Sequence, residues 1–193
     1  MPDSVDIAYM NMAIHMSHKC PPVNDRYSVG AIIRFSNEEI ETGFSREQIE
    51  DDDGNIITGI HAEEACILKC RRSNMDLRGA TLYTTMEPCQ PRRSGQKSCA
   101  QLIYDTGIFG IRKVVIGVKE PRNITYCCGI QLLLKGDIKV YYIPGIEKRC
   151  LAATRKHYNG DIQERNWIDL EKYITHGMYN IITFYFVFDI TII

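Results

Sequence analysis

This 193-residue chain carries almost no net charge: 23 lysines and arginines stand against 24 aspartates and glutamates, leaving −1. That balance produces no long-range field to draw the molecule onto nucleic acid or an anionic membrane, although a local basic groove stays open. Tryptophan occurs once, at Trp167, so the basic, aromatic-lined groove that a flipped base needs has little support, and nucleic acid is disfavoured as a partner. The N-terminus, MPDSVDIAYMNMAIHMSHK, lacks the basic start and apolar run of a secretory leader, and a cytoplasmic protein is expected. No apolar run suits a comfortable membrane span. The tail MYNIITFYFVFDITII is too short and is broken by Asn180 and Asp189, which favours a strand or a disordered extension, or an end outside the functional domain, over a C-terminal anchor. The stretch EQIEDDDGN, residues 47–55, is expected to be a solvated acidic loop, because its aspartate run, 51–53, lacks the alternating ligand spacing of a calcium loop. Internal repeats are absent. These exclusions favour chemistry on a small, locally recognised substrate.

Eight cysteines are present, too many to ignore and in the wrong compartment for a disulfide framework, so each is a small buried hydrophobe or a ligand. Cys66 and Cys70, four apart on one helix, are expected to be packing residues, as are Cys20, Cys127, Cys128 and Cys150. Ser4 is expected to cap a helix whose buried positions are Val5, Ala8, Tyr9, Met12, Ala13 and Met16, ending before Pro21. SVGAIIRF and EEIETGFS read as a strand pair turning at Ser36-Asn37. From residue 60 the pattern alternates: helix 62–73, strand 80–86, helix 98–106 stopped by Gly107, strand 113–118, helix 128–135, strand 138–143 and a helix from 146. Such alternation implies an α/β sheet with helices on both faces and right-handed crossovers. Ligands in these sheets bind beyond the carboxyl ends of the strands.

His61 and Glu63 open the helix at 62. Two positions apart they diverge in mid-helix, but in a first turn both reach over the helix end. Cys89 sits behind Pro88 where strand 80–86 ends, and Cys99 opens the next helix, whose free N–H groups favour a thiolate. One neutral histidine and two thiolates fill three positions of a zinc tetrahedron and leave the fourth for water, the pattern of a catalytic site. Mixed Cys/His ligation favours zinc over hard cations, with iron a lesser alternative. Two thiolates neutralise the dication, so a separate base is needed, and Glu63 is placed to move the protons. Alone, His61-x-Glu63 reads as a capping accident; joined to Glu-Pro-Cys and a second cysteine at a strand-to-helix junction, it reads as a metal site.

His-x-Glu with Pro-Cys-x-x-Cys is the pattern of the zinc nucleobase deaminases. Here nine residues, QPRRSGQKS, separate the cysteines, where most of that superfamily has two. The longer spacing, with HAEEA, GATLYTTMEPC, SGQKSC, VVIGVKEP and IKVYYIPG, resembles the pyrimidine deaminases of riboflavin biosynthesis, and most the fungal form. The stretch RYSVG departs from the Asn-Pro-x-Val-Gly of bacterial members. The resemblance implies a three-layer α/β/α fold with a central mixed sheet of about five strands, and a deaminase domain over residues 1–158 with a C-terminal extension at 159–193. It implies Zn²⁺ on His61, Cys89 and Cys99, and hydrolytic removal of the 2-amino group from a ribitylamino- or ribosylamino-pyrimidinone 5′-phosphate. Glu87 and Pro88 would shape the pocket floor, and Arg92, Arg93, Lys97 and Lys119 would contact the phosphate. A free-standing deaminase is expected, self-associating as a homodimer. Two other readings compete: a nucleoside, nucleotide or RNA base deaminase, and a catalytically silent zinc-binding scaffold.

Overall fold

The computed structural model describes residues 2–24, 26–51, 53–92, 94–120 and 128–156. The readings made above for Arg93, Cys127 and the tail from 157 onward lie outside them. Helix α1 runs Ser4–Ser17. Its cap is Asp3, not Ser4: the Asp3 carboxylate accepts the Val5 and Asp6 backbone N–H groups, both at 2.9 Å, and Asp6 returns a bond to the Asp3 N–H. A carboxylate satisfies the free N–H groups and also suits the positive end of the helix, so the residue one place earlier wins. The buried face differs too. Asp6, Met10, Ala13, Ile14, Met16 and Ser17 face inward, while Val5, Ala8 and Met12 are exposed. Apolar residues occur on every side of this helix, so periodicity could not choose; Asp6 does, through bonds to Tyr83 Oη and Lys113 Nζ.

Strands β1 (Gly30–Arg34) and β2 (Ile40–Phe44) form the expected hairpin. The acidic stretch after it is not wholly loop: β3 (Ile49–Glu50) and β4 (Ile56–Ile57) pair antiparallel around it. Ile49 is buried against Ile60 and Ala65, and Asp51 accepts the backbone N–H groups of Asp53 and Asn55, so this acid closes the turn. Helix α2 (Ala62–Arg72), β5 (Thr81–Met86), α3 (Cys99–Tyr104), β6 (Lys113–Val118), α4 (Gly129–Lys135), β7 (Lys139–Tyr142) and α5 (Glu147–Thr154) follow.

The five-stranded sheet has the order β2-β1-β5-β6-β7, with β1 antiparallel to both neighbours and β5, β6 and β7 parallel. Alternate side chains divide between two cores, as strand geometry requires. Ala31, Ile33, Leu82, Val114 and Ile116 pack under α2, α3 and α4, where Cys66 and Cys70 serve as the small core residues expected. Ile32, Tyr83 and Val115 pack under α1 and α5. The result is the three-layer α/β/α arrangement with a mixed central sheet. No described helix is long and apolar enough to cross a membrane.

Candidate active site

Three chain segments meet at the carboxyl end of β5. The strand ladder continues one residue past β5, with the Glu87 N–H bonded to Val118 O at 2.8 Å, and this carries Pro88 and Cys89 out over the sheet edge. Ser98 caps α3 by accepting the Gln101 N–H at 3.2 Å, which makes Cys99 the first helical residue. The Cys99 backbone N–H points at Cys89 Sγ, 3.4 Å away, and the Ala100 N–H bonds to Cys89 O. His61 is the N-cap of α2, in extended conformation, so its ring leaves the helix axis and turns to the two sulfurs.

The ring meets them through Nδ1, 3.5 Å from Cys89 Sγ and 3.3 Å from Cys99 Sγ. Zinc bonds of ~2.3 Å to sulfur and ~2.05 Å to nitrogen at tetrahedral angles place S and N about 3.6 Å apart. The three donors therefore fit a zinc ion with little movement, and they are the one such group among the described residues. Burial lowers the His61 pKa, but the bond to Cys89 and its charge outweigh this and hold it above the usual value. Cys89 is held well below the ordinary thiol range by the Cys99 thiol and by His61, whereas Cys99, giving its S–H to Cys89 in a buried position, is pushed up.

Glu63 is 3% exposed, and burial raises its carboxyl pKa. Thr84 Oγ1 lies 3.1 Å from Glu63 Oε1 and 3.0 Å from Met86 O, which fixes the carboxyl against β5. His61, Glu63, Cys89 and Glu87 all line one cavity of about 450 Å³, a volume that suits a small-molecule ligand. Pro88 is buried behind that wall, its carbonyl against Gly129 of α4.

The loop cations are placed differently from one another. Arg92 lines the cavity but is paired with Glu64 at 2.7 Å. Lys97 points to Asp105, also at 2.7 Å, and stays largely exposed. Lys119 is buried, and it is not among the cavity-lining residues. Sequence reasoning missed Arg26, Arg46 and Glu120, which line the cavity, and the partners Glu64 and Thr84. Glu64 had a legible signal, because an acid three residues after an N-cap closes a capping box. Thr84 had none; an inward-facing strand threonine looks like filler.

The family model for the cytidine and deoxycytidylate deaminase zinc-binding region matches residues 3–118. The chain belongs to that family. Among curated relatives of this deaminase-family chain, the diaminohydroxyphosphoribosylamino-pyrimidine deaminase of Schizosaccharomyces pombe is 37% identical over 152 residues, covering 77% of this chain and 35% of the relative. The riboflavin biosynthesis protein RibD of Actinobacillus pleuropneumoniae is 28% identical over 169 residues, covering 87% and 40%. The chain thus spans well under half the length of either relative. Of solved structures, the Aspergillus oryzae Rib2 deaminase in complex with DARIPP superposes with a TM-score of 0.65 at 26% identity, over 79% of this chain and 91% of that one. The Thermotoga maritima deaminase/reductase gives 0.63 at 30% identity, over 77% and 38%. The cyanophage S-TIM5 dCMP deaminase, at 23% identity and a TM-score of 0.53, shares the fold.

Proposed function

We propose that the protein is a hydrolytic deaminase of a riboflavin-pathway pyrimidinone 5′-phosphate, ribitylamino or ribosylamino. The observation that carries the reaction type is the buried carboxyl of Glu63, two residues from His61, lining the same cavity as two donors of a site that fits zinc. The substrate class rests on the names of the fungal and bacterial relatives. His61, Cys89 and Cys99 would hold a zinc ion, whose charge would make a water acidic enough to attack near neutral pH.

Everything else falls to the chain's own groups. Glu63 takes a proton from the attacking water and delivers it to the ring nitrogen next to the amidine-like carbon. A second proton passes through the same carboxyl to the departing amino group. The carbon–nitrogen bond breaks, ammonia leaves, and a ring carbonyl replaces the amino group, so one water is consumed per ammonia released. Thr84 keeps the Glu63 carboxyl aimed during both transfers. Glu87, with Pro88 behind it, forms the floor of the pocket. Of the basic residues that line the cavity, Arg26 is exposed on its rim, Arg46 donates to the backbone carbonyls of Pro21 and Tyr27 and Arg92 holds the Glu64 carboxylate, while Lys97, outside the lining, holds Asp105. Arg26 is therefore the phosphate contact best supported among the described residues, with Arg93 and Lys119 as further candidates from the sequence. The same reading takes residues 1–158 as the deaminase domain and 159–193 as an extension, and the chain as a cytoplasmic homodimer; gel filtration with light scattering tests the last.

The deciding experiment measures ammonia release by zinc-quantified protein offered both pyrimidinone phosphates beside cytidine, deoxycytidylate and guanine. Turnover of one pyrimidinone phosphate is expected, with its loss in Glu63→Ala at unchanged zinc content and loss of zinc in Cys99→Ala. Turnover of a nucleoside, nucleotide or free base alone would overturn the substrate. Silence with zinc bound would favour the scaffold reading.

A further inference from the structure

A two-residue spacing places both cysteine ligands in one turn, where backbone geometry alone sets their separation. Nine residues do not, since a longer loop leaves its ends more freedom. Backbone bonds from Cys99 and Ala100 tie the two cysteines to each other. The attachment of this loop to the histidine side of the site is a separate matter, and one guanidinium provides it. Arg92 Nη1 lies 2.7 Å from Glu64 Oε2 and 3.5 Å from Lys97 O, and Arg92 Nη2 donates to Gly59 O at 3.2 Å. Glu64 Oε2 also accepts the His61 backbone N–H at 3.2 Å.

Each contact lands beside a metal donor. Gly59 precedes His61 by two residues, Lys97 precedes Cys99 by two, and Arg92 follows Cys89 by three. Among the described residues, Arg92 makes every hydrogen bond joining loop 90–98 to segment 59–64. The two side chains are 5% and 17% exposed, so the pair is shielded from solvent, and removing one partner strands the other's charge. The planar fork of arginine, which serves three acceptors at once, is what lysine would lack.

We propose that the Arg92–Glu64 pair is a positioning element of the metal centre: it holds the His61 donor at its working distance from the two sulfurs and thereby slows loss of zinc. Arg92 is on this view a positioning residue and not a phosphate contact. The inference rests on the zinc site, and it is independent of which base or nucleotide is deaminated.

The test follows zinc loss from the full-length, zinc-loaded protein to excess chelator, with a chromogenic zinc indicator as readout. Arg92→Ala and Glu64→Gln are each expected to release zinc about 10- to 100-fold faster than wild type. Arg92→Lys, which keeps the charge without the fork, should fall between, and it serves with Glu64→Gln if Arg92→Ala does not fold. The double variant should lose zinc no faster than the worse single one, because the two residues act as a unit. Lys97→Ala, which removes a cation of the same loop bound elsewhere, should stay within about twofold of wild type. KM for phosphorylated and unphosphorylated substrates should change in equal proportion in Arg92→Ala. Zinc loss from Arg92→Ala at the wild-type rate would overturn the proposal, as would single effects that multiply in the double variant. A KM change confined to the phosphorylated substrate would do the same and make Arg92 a phosphate contact. Wild-type protein that takes up no zinc would instead refute the metal site itself.

Discussion

Gly43→Ala tests how tightly α2, the helix that carries Glu63, is held against the sheet. Gly43 lies in the edge strand β2, buried under α2. A Cβ placed there would sit 2.3 Å from Ala62 O, 2.7 Å from Cys66 Sγ and 3.0 Å from Cys66 N. Ordinary contact begins at 3.4 Å, so the methyl is about 1 Å short of room. Two of the three obstacles are backbone atoms of the helix, which cannot turn aside as a side-chain tip can. The first turn of α2 must therefore lift, and it carries His61, Glu63 and Glu64. Overpacking of this kind costs about 1–3 kcal/mol. For a domain of this size that lowers the melting temperature by about 2 to 12 °C. A displacement of about 1 Å at a proton-transfer group costs roughly a hundredfold in rate, equivalent to about 2.7 kcal/mol of barrier. The assay compares melting and zinc-normalised ammonia release in Gly43→Ala and in Thr42→Ala, which alters the same strand outside this contact and should move stability by no more than about 0.5 kcal/mol. Melting and turnover of Gly43→Ala indistinguishable from Thr42→Ala would refute the close approach of α2 to β2.

Two further outcomes are expected. Asp6 accepts bonds from Tyr83 Oη at 2.8 Å and Lys113 Nζ at 2.7 and 2.8 Å, so Asp6→Asn strands a lysine that is only 29% exposed. It should cost about 3 kcal/mol, the low end for a broken buried pair, while turnover per folded molecule stays unchanged because the network lies at the amino end of β6, away from the site; thermal melts and a turnover assay check both halves. Burial pushes the thiols of Cys70 and Cys150 up to about 12, and that of Cys66 well above the ordinary value. Thiolate is therefore scarce at pH 8 and grows only towards pH 12, and mass spectrometry after alkylation of native protein at pH 8 should find all three unmodified until denaturant is added. Labelling of any of them in the folded state would contradict their placement in the core.

The expected α/β alternation was legible because β5 and β6 are long enough to show their apolar runs, and because Gly107 and the paired prolines punctuate the helices. Two local readings failed for identifiable reasons. The acidic stretch hid β3 and β4, each two residues long, too short for any alternation to register. Helix α1 carries apolar side chains all round, so its inward face was settled by a polar residue, Asp6, whose partners lie 77 and 107 positions away.

What the sequence by itself determined is the chemistry of the donors: an imidazole, a carboxyl and a thiol at helix starts, where backbone N–H groups are free, and a second thiol past a strand end. Residue type and local periodicity suffice for that, since both are properties of short windows. Only the tertiary structure decided the distances. His61 lies 28 and 38 positions from the sulfurs it approaches at 3.5 and 3.3 Å, and that closeness depends on the parallel register of β5 on β6 and on α2 seating against Gly43. Tertiary packing likewise committed the loop cations, sending Arg92 to Glu64 and Lys97 to Asp105. A long flexible cation takes the nearest carboxylate that the fold presents, and no short window of sequence records which one that is.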